Sequence, residues 1–111
     1  MLMSNRTKRV LVVDDEQLIL KIISDILTKE GYDVVVANSC EKATEHLRTS
    51  HFNVVLSDIK MPVKSGIDLL GEIKRKDPNI PVILMTGFAS LETAVEAVQE
   101  GAFDYLIKPL D

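Results

Sequence analysis

The sequence predicts a doubly wound α/β domain on a mostly parallel five-stranded sheet, and three observations carry that expectation. Short runs of Val, Leu and Ile alternate five times with segments whose apolar residues recur at helical spacing, the order expected of repeated βα units. Two of the runs end on acids: Asp14 and Asp15 follow Val10-Leu11-Val12-Val13, and Asp58 follows Val54-Val55-Leu56-Ser57. Unbroken apolar runs suit strands buried on both faces, and open α/β sheets bind ligands at the C-terminal ends of such strands. Finally, the 111 residues contain no internal repeat, low-complexity tract or Gly/Ser linker, so residues 1–111 form one domain, long enough for a core and too short for two.

The elements follow in order. The first strand, about Val10 to Val13, feeds a helix whose Leu18, Ile19, Ile22, Ile23, Ile26 and Leu27 recur at i, i+4 and i+8 and make its buried face. Gly31 stops that helix, and Val34-Val35-Val36 is the second strand. Asn38 or Ser39 caps a helix that turns Cys40, Ala43 and Leu47 inward, ahead of the third strand at Val54 to Ser57. After Asp58 comes a loop from Ile59 to Gly66, then a helix with Ile67, Leu70 and Ile73 inside, ended before Pro78 because proline disfavours helical geometry in its neighbour. The fourth strand is Val82 to Met85. Ser90 caps a helix with Leu91, Ala94, Val95 and Val98 inward and Gly101 as its stop, and the fifth strand, about Phe103 to Ile107, runs into Lys108-Pro109. No helix follows before Asp111, so the expectation is either a domain cut before its last helix or one whose exposed sheet face a partner covers, and the uncovered face is expected to self-associate.

Composition narrows the function. A hydrophobic share of 46% and a charged share of 27% are ordinary for a folded globular domain. The net charge of -4 argues against direct nucleic acid binding, which needs a basic face. The single cysteine, Cys40, excludes an internal disulfide or a cysteine-based zinc cluster and fits a reducing compartment. The start of the chain lacks an apolar core of signal-peptide length, and no apolar run approaches the roughly 20 residues of a membrane span. The expectation is a cytoplasmic protein with no membrane contact.

The strand-end acids carry the chemistry. Asp14-Asp15 has a capping reading, since an acid at a helix start satisfies free N–H groups and complements the dipole. Capping leaves Asp58 unexplained, because Pro62 and Gly66 indicate a long loop before the next helix. Like charges in one crevice must protonate, separate or share a cation. A hard divalent ion, Mg²⁺, is the simplest resolution. Lys108 at the end of the fifth strand serves as counter-ion and phosphate ligand on the same edge, with surface lysine as its plainer reading. Thr86, after the fourth strand, presents a hydroxyl there, or is only a β-branched strand residue.

With these residues in order, the chain resembles the receiver domain of two-component response regulators. The matching features are Asp14-Asp15, Ser57-Asp58-Ile59-Lys60-Met61-Pro62 with Gly66 downstream, Met85-Thr86-Gly87, and Lys108-Pro109. The resemblance implies a flavodoxin-like sheet in the order 2-1-3-4-5. It implies that Asp58 is the phosphoacceptor, forming an acyl phosphate, with Thr86 and Lys108 as ligands of the phosphoryl oxygens. It implies a Mg²⁺ site from Asp14, Asp15, Asp58 and the backbone carbonyl of Lys60. Thr86 and Tyr105 form the switch, Thr86 moving toward the phosphate while the Tyr105 ring turns inward, and the surface of the fourth helix and fifth strand reports the change.

The function so implied is a phosphorylation-controlled signalling switch, not an enzyme acting on an external substrate, which catalyses only its own phosphorylation and dephosphorylation. Its expected partners are a sensor histidine kinase, a second copy in a homodimer, and an output domain or downstream protein. The run from Gly101 to Asp111 resembles receivers attached to ATPase-type transcription activators. The alternative is a receiver-like interaction module that works without phosphate. A phosphatase or nucleotide-binding enzyme has less support, because no G-x-x-x-x-G-K-[ST] loop is present and Lys60 stands where haloacid-type phosphatases carry a second acid. His46 and His51 read as surface residues, Cys40 as a partly buried filler, Met61 and Met85 as core plugs. Phe88 and Lys60 sit where family members tune phosphoryl lifetime.

Overall fold

The computed structural model describes residues 8–87 and 91–108. Five parallel strands, β1 (Arg9–Val13), β2 (Asp33–Ala37), β3 (Val54–Asp58), β4 (Val82–Thr86) and β5 (Asp104–Ile107), lie in the order β2-β1-β3-β4-β5. Four helices connect them: α1 (Gln17–Lys29), α2 (Cys40–Thr49), α3 (Gly66–Lys76) and α4 (Leu91–Gln99). The order reverses at β1, whose neighbours are β2 and β3, and a crevice opens at that point.

Strand alternation sorts the core into two layers. Leu11, Val13, Val55, Val82 and Leu84 pack with α2, α3 and Ala97 of α4, while Val10, Val12 and Met85 pack with Leu20 and Ile23 of α1. Phe52, just before β3, is the bulkiest of the wholly buried side chains. Met61 joins the first layer and Met85 the second, as their reading as core plugs anticipates.

The helix boundaries follow local chemistry. Ser39, rather than Asn38, caps α2, its hydroxyl accepting from Lys42 N–H. Ser65 caps α3 in a reciprocal box: its hydroxyl accepts from Asp68 N–H at 3.1 Å while the Asp68 carboxylate accepts from Ser65 N–H at 3.0 Å. Gly31 and Gly101 follow α1 and α4 with φ of 97° and 91°, the left-handed closure expected of both. The Ser90 cap expected for α4 lies outside the described residues.

Two helix faces depart from expectation. On α1 the stripe Leu18, Ile22 and Ile26 is 68%, 45% and 51% exposed, and the buried positions are Leu20 and Ile23, flanked by half-buried Ile19 and Leu27. Leu20-Ile23-Leu27 repeats at i, i+3, i+7 and competes with the i, i+4, i+8 series on a helix apolar nearly all round. On α4, Val95 and Val98 face outward and Ala97 is wholly buried, since the small side chain brings the helix close to the sheet. Phe103 precedes β5 and is exposed, although its N–H still donates to Val82 O at 2.8 Å. No described helix is long and apolar enough to cross a membrane.

Candidate functional site

Three ladders extend one residue past their strands and set the floor of the site. Asp14 N–H donates to Ala37 O at 3.1 Å, Ile59 N–H to Met85 O at 2.9 Å, and Lys108 N–H to Thr86 O at 2.7 Å. These bonds tie β1 to β2 and β4 to both β3 and β5, and the pairing of Val13 with Ser57 sets β1 beside β3, so the ends of β1, β3, β4 and β5 lie side by side on one edge of the sheet.

Asp14, Asp15 and Asp58 each bring a carboxylate oxygen into a group whose members lie within 4.8 Å of one another. Asp14 and Asp58 are buried and Asp15 is exposed. Asp14 accepts from Glu16 N–H at 3.0 Å, and Glu16, not either aspartate, occupies the N-cap of α1 without a side-chain cap. The capping reading therefore leaves Asp15 and Asp58 without a structural role. Lys108 reaches across from β5: its Nζ donates to Asp14 Oδ2 at 2.9 Å and lies 3.4 Å from Asp58 Oδ1 and 4.0 Å from Glu16 Oε1.

The electrostatics express the crowding. Burial, reinforced by the Asp14 charge, pushes the Asp58 carboxyl above its usual range, against the opposing pull of Lys108. Burial works against the charge on Lys108, but the bond to Asp14 and the charges of Asp14 and Asp58 outweigh it and raise the ammonium's pKa. Three carboxylates against one ammonium leave two negative charges in the trio's own neighbourhood. An all-oxygen, doubly negative donor set is the chemistry a hard divalent cation takes.

Asp15, Asp58, Lys60, Thr86 and Lys108 line an open cleft of about 340 Å³. Thr86 is buried at its wall. Tyr105 does not line this cleft: half-buried, it packs against the core layer of α2 and α3, with its hydroxyl 2.7 Å from Thr93 Oγ1 on α4. A larger groove of about 460 Å³, beside Arg48, His51 and Lys76, lies away from this edge. Among the described residues, His46 and His51 join no cluster of metal-ligating groups. Cys40 is buried, and burial followed by the Glu72 charge raises its thiol pKa, which fits a filler. Phe88 lies outside the described residues.

Three features of the site escaped the sequence reading. The loop after Asp58 turns at Val63, which has φ of 71° and full exposure, with Lys64 N–H donating to Pro62 O at 2.8 Å. A β-branched residue there is strained, of the kind found beside functional sites, and nothing in a valine announces it. Gly66 begins α3 against the Asp58 peptide, where a Cβ would overlap the Asp58 carbonyl oxygen and stand 2.9 Å from its carbon. The Ser65 box is the third, and here the sequence does carry a signal that could have found it, Ser-x-x-Asp ahead of an apolar run.

Comparison with known proteins bears on this geometry. Residues 10–111 match the family model of the response regulator receiver domain. The chain is 49% identical over 102 residues to the transcriptional regulatory protein ZraR of Escherichia coli K12, covering 92% of this chain and 23% of that protein. It therefore spans about a quarter of the length of that curated relative. A receiver domain protein (CheY-like) from Methanospirillum hungatei JF-1 superposes with a TM-score of 0.92 at 37% identity, covering 96% of this chain and 85% of the other. The response regulator TrrA of Thermotoga maritima, solved in complex with Mg(2+)-BeF, gives a TM-score of 0.86 at 31% identity, covering 95% and 90%. With strand order, strand-end acids and family model in agreement, the chain belongs to the response regulator receiver domain family of two-component signalling.

Proposed function

We propose that this domain is a phosphorylation-controlled switch that takes a phosphoryl group from a sensor histidine kinase onto Asp58 in a Mg²⁺-dependent reaction. The observation that carries the reading is the meeting of Asp14, Asp15 and Asp58 within 4.8 Å, with Lys108 spanning Asp14 and Asp58. The donor set fits Mg²⁺, which Asp14, Asp15, Asp58 and the Lys60 backbone carbonyl would hold, and the Mg(2+)-BeF complex of TrrA supports the choice of ion. Bound there, Mg²⁺ supplies positive charge that offsets the phosphoryl oxygens.

The chain's own residues do the rest. An Asp58 carboxylate oxygen attacks phosphorus as the bond from phosphorus to the donor imidazole nitrogen breaks; an acyl phosphate forms and the imidazole leaves. Lys108, already between two carboxylates, turns its ammonium to the incoming oxygens, and the Thr86 hydroxyl donates to another. Recruitment of Thr86 shifts Tyr105, and the surface of α4 and β5 reports the change. That surface carries exposed Val95, Val98, Phe103 and Ile107, suited to a partner, a second copy of the domain included. The output is read as transcriptional, supported by the name of the ZraR relative, and the setting as cytoplasmic.

Incubation with Mg²⁺ and a small phosphodonor tests this. The intact protein gains one phosphoryl mass, and Asp58→Asn gains none. Absence of any adduct with acetyl phosphate, phosphoramidate and carbamoyl phosphate alike would overturn the reading.

A further inference from the structure

One buried polar group has no part in the chemistry just described. Ser57, the strand residue before Asp58, is wholly buried, and its register partners are Val13 on β1 and Leu84 on β4. Both partners belong to the apolar layer beneath α2 and α3, so the Ser57 side chain points into that layer, away from the side on which Met85, the partner of Asp58, packs. A hydroxyl is costly in such a place unless it is bonded, and a valine or alanine would fill the space with no polar atom.

The Ser57 hydroxyl donates to the backbone carbonyl of Asp58 at 3.0 Å. The same peptide is held from two more directions. Its N–H, on Ile59, donates to Met85 O at 2.9 Å, and the Gly66 backbone lies against its carbonyl, so close that no side chain fits at 66. Gly66 N–H then donates to Ile59 O at 2.8 Å. The plane of this peptide sets the backbone angle at Asp58, and with it both the aim of the Asp58 carboxylate and the course of the chain toward Lys60.

We propose that Ser57 is a positioning residue for phosphoryl transfer, its hydroxyl fixing the Asp58–Ile59 peptide so that the Asp58 carboxylate and the Lys60 carbonyl keep the orientation the Mg²⁺ site needs. It touches neither ion nor phosphoryl group and acts through the main chain from the opposite face of the sheet. Loss of the hydroxyl leaves the apolar layer intact and frees the carbonyl to tilt. A displacement well under 1 Å at a reacting carboxylate is enough to slow transfer substantially.

The inference rests on Asp58 being the phosphoacceptor, and the test separates the two. Wild type, Ser57→Ala, Ser57→Thr and Ser57→Cys are compared for the Mg²⁺ dissociation constant by calorimetry, for the rate of phosphorylation against phosphoramidate concentration, and for thermal unfolding. Ser57→Ala keeps wild-type thermal stability or gains some, while its maximal rate falls by about tenfold at saturating Mg²⁺ and its Mg²⁺ affinity weakens. Half-saturation by the donor stays the same. Ser57→Thr, which keeps the hydroxyl and suits a strand, recovers the rate, and Ser57→Cys, a weak donor of similar size, falls between and gives the same reading should the alanine variant fold poorly. Wild-type rate and Mg²⁺ affinity in both Ser57→Ala and Ser57→Cys would overturn the assignment, as would equal losses in the alanine and threonine variants. An unreactive wild type would instead overturn the phosphoacceptor reading itself.

Discussion

The ammonium of Lys108 stands 2.9 Å from Asp14 Oδ2 and 3.4 Å from Asp58 Oδ1, so a residue from the last strand neutralises acids from the first and third. Lys108→Met should therefore do two opposite things. Without divalent ions it destabilises the fold by about 1–3 kcal/mol, since a buried carboxylate loses its partner. With Mg²⁺ present the loss shrinks, and Mg²⁺ binds several-fold more tightly than to wild type, because the ammonium no longer competes. Urea unfolding with EDTA and with Mg²⁺, paired with a Mg²⁺ titration, reads both; weaker Mg²⁺ binding in the variant would contradict the competition.

Asp58 makes the acid site pH-sensitive in a direction its environment dictates. Burial and the Asp14 charge raise its pKa in the folded state above the ordinary 3.8. From about that pH up to the raised value, the native state keeps a proton the unfolded chain has lost, so this group's contribution to stability falls as pH rises and the cost of its charge is complete above the raised value. Asp58→Asn removes the cost. At pH 7 in EDTA the variant should be more stable than wild type, read as a higher Tm, with the gap closing toward pH 4. Mg²⁺ should stabilise wild type more than the variant. Thermal melts across pH 4–8 check the sign, and a variant less stable than wild type at neutral pH would refute it.

The parts of the site that sequence revealed are those fixed by position along a strand. Asp14, Asp58, Thr86 and Lys108 each sit at a strand's C-terminal end, and parallel strands in a switch-point sheet bring those ends together whatever the details of packing. Ser57 and Gly66 were hidden because their roles lie in through-space contact with the Asp58 peptide, which no spacing encodes. Val63 was hidden because a valine carries no bias toward positive φ. The central strands β1, β3 and β4 were legible because burial on both faces makes them unbroken apolar runs; the edge strands β2 and β5 are partly exposed and were legible as short β-branched or aromatic runs between turn residues. The α1 face was not, because Leu18-Ile22-Ile26 and Leu20-Ile23-Leu27 offer competing apolar stripes, and only packing on Val10 and Val12 decides between them.

That competition gives a direct measurement. Ile23→Ala and Leu20→Ala should each cost about 2–5 kcal/mol, the range for large-to-small changes in a closed core. Leu18→Ser and Ile22→Ser, on the exposed stripe, should stay within about 0.5 kcal/mol of wild type. Urea midpoints at unchanged slope measure all four. Comparable losses at Leu18 and Leu20 would mean that the exposed stripe is covered in solution.

Tyr105 is tied to α4 by the 2.7 Å contact between its hydroxyl and Thr93 Oγ1, and that bond joins the last strand to the helix beside it. Both side chains are half-buried, so the bond replaces water on each and its net worth is about 0.5–1.5 kcal/mol. Thr93→Val keeps the shape of the side chain and removes its donor and acceptor. It should lower stability by that amount and loosen the Tyr105 ring, raising acrylamide quenching of its fluorescence in a Tyr32→Phe background where Tyr105 is the remaining tyrosine. If Tyr105 moves on phosphorylation, the fluorescence change on adding Mg²⁺ and phosphodonor also becomes smaller, because the unphosphorylated domain already samples the shifted ring. Quenching identical to the parent protein would show that the Thr93 hydroxyl does not hold Tyr105 in place.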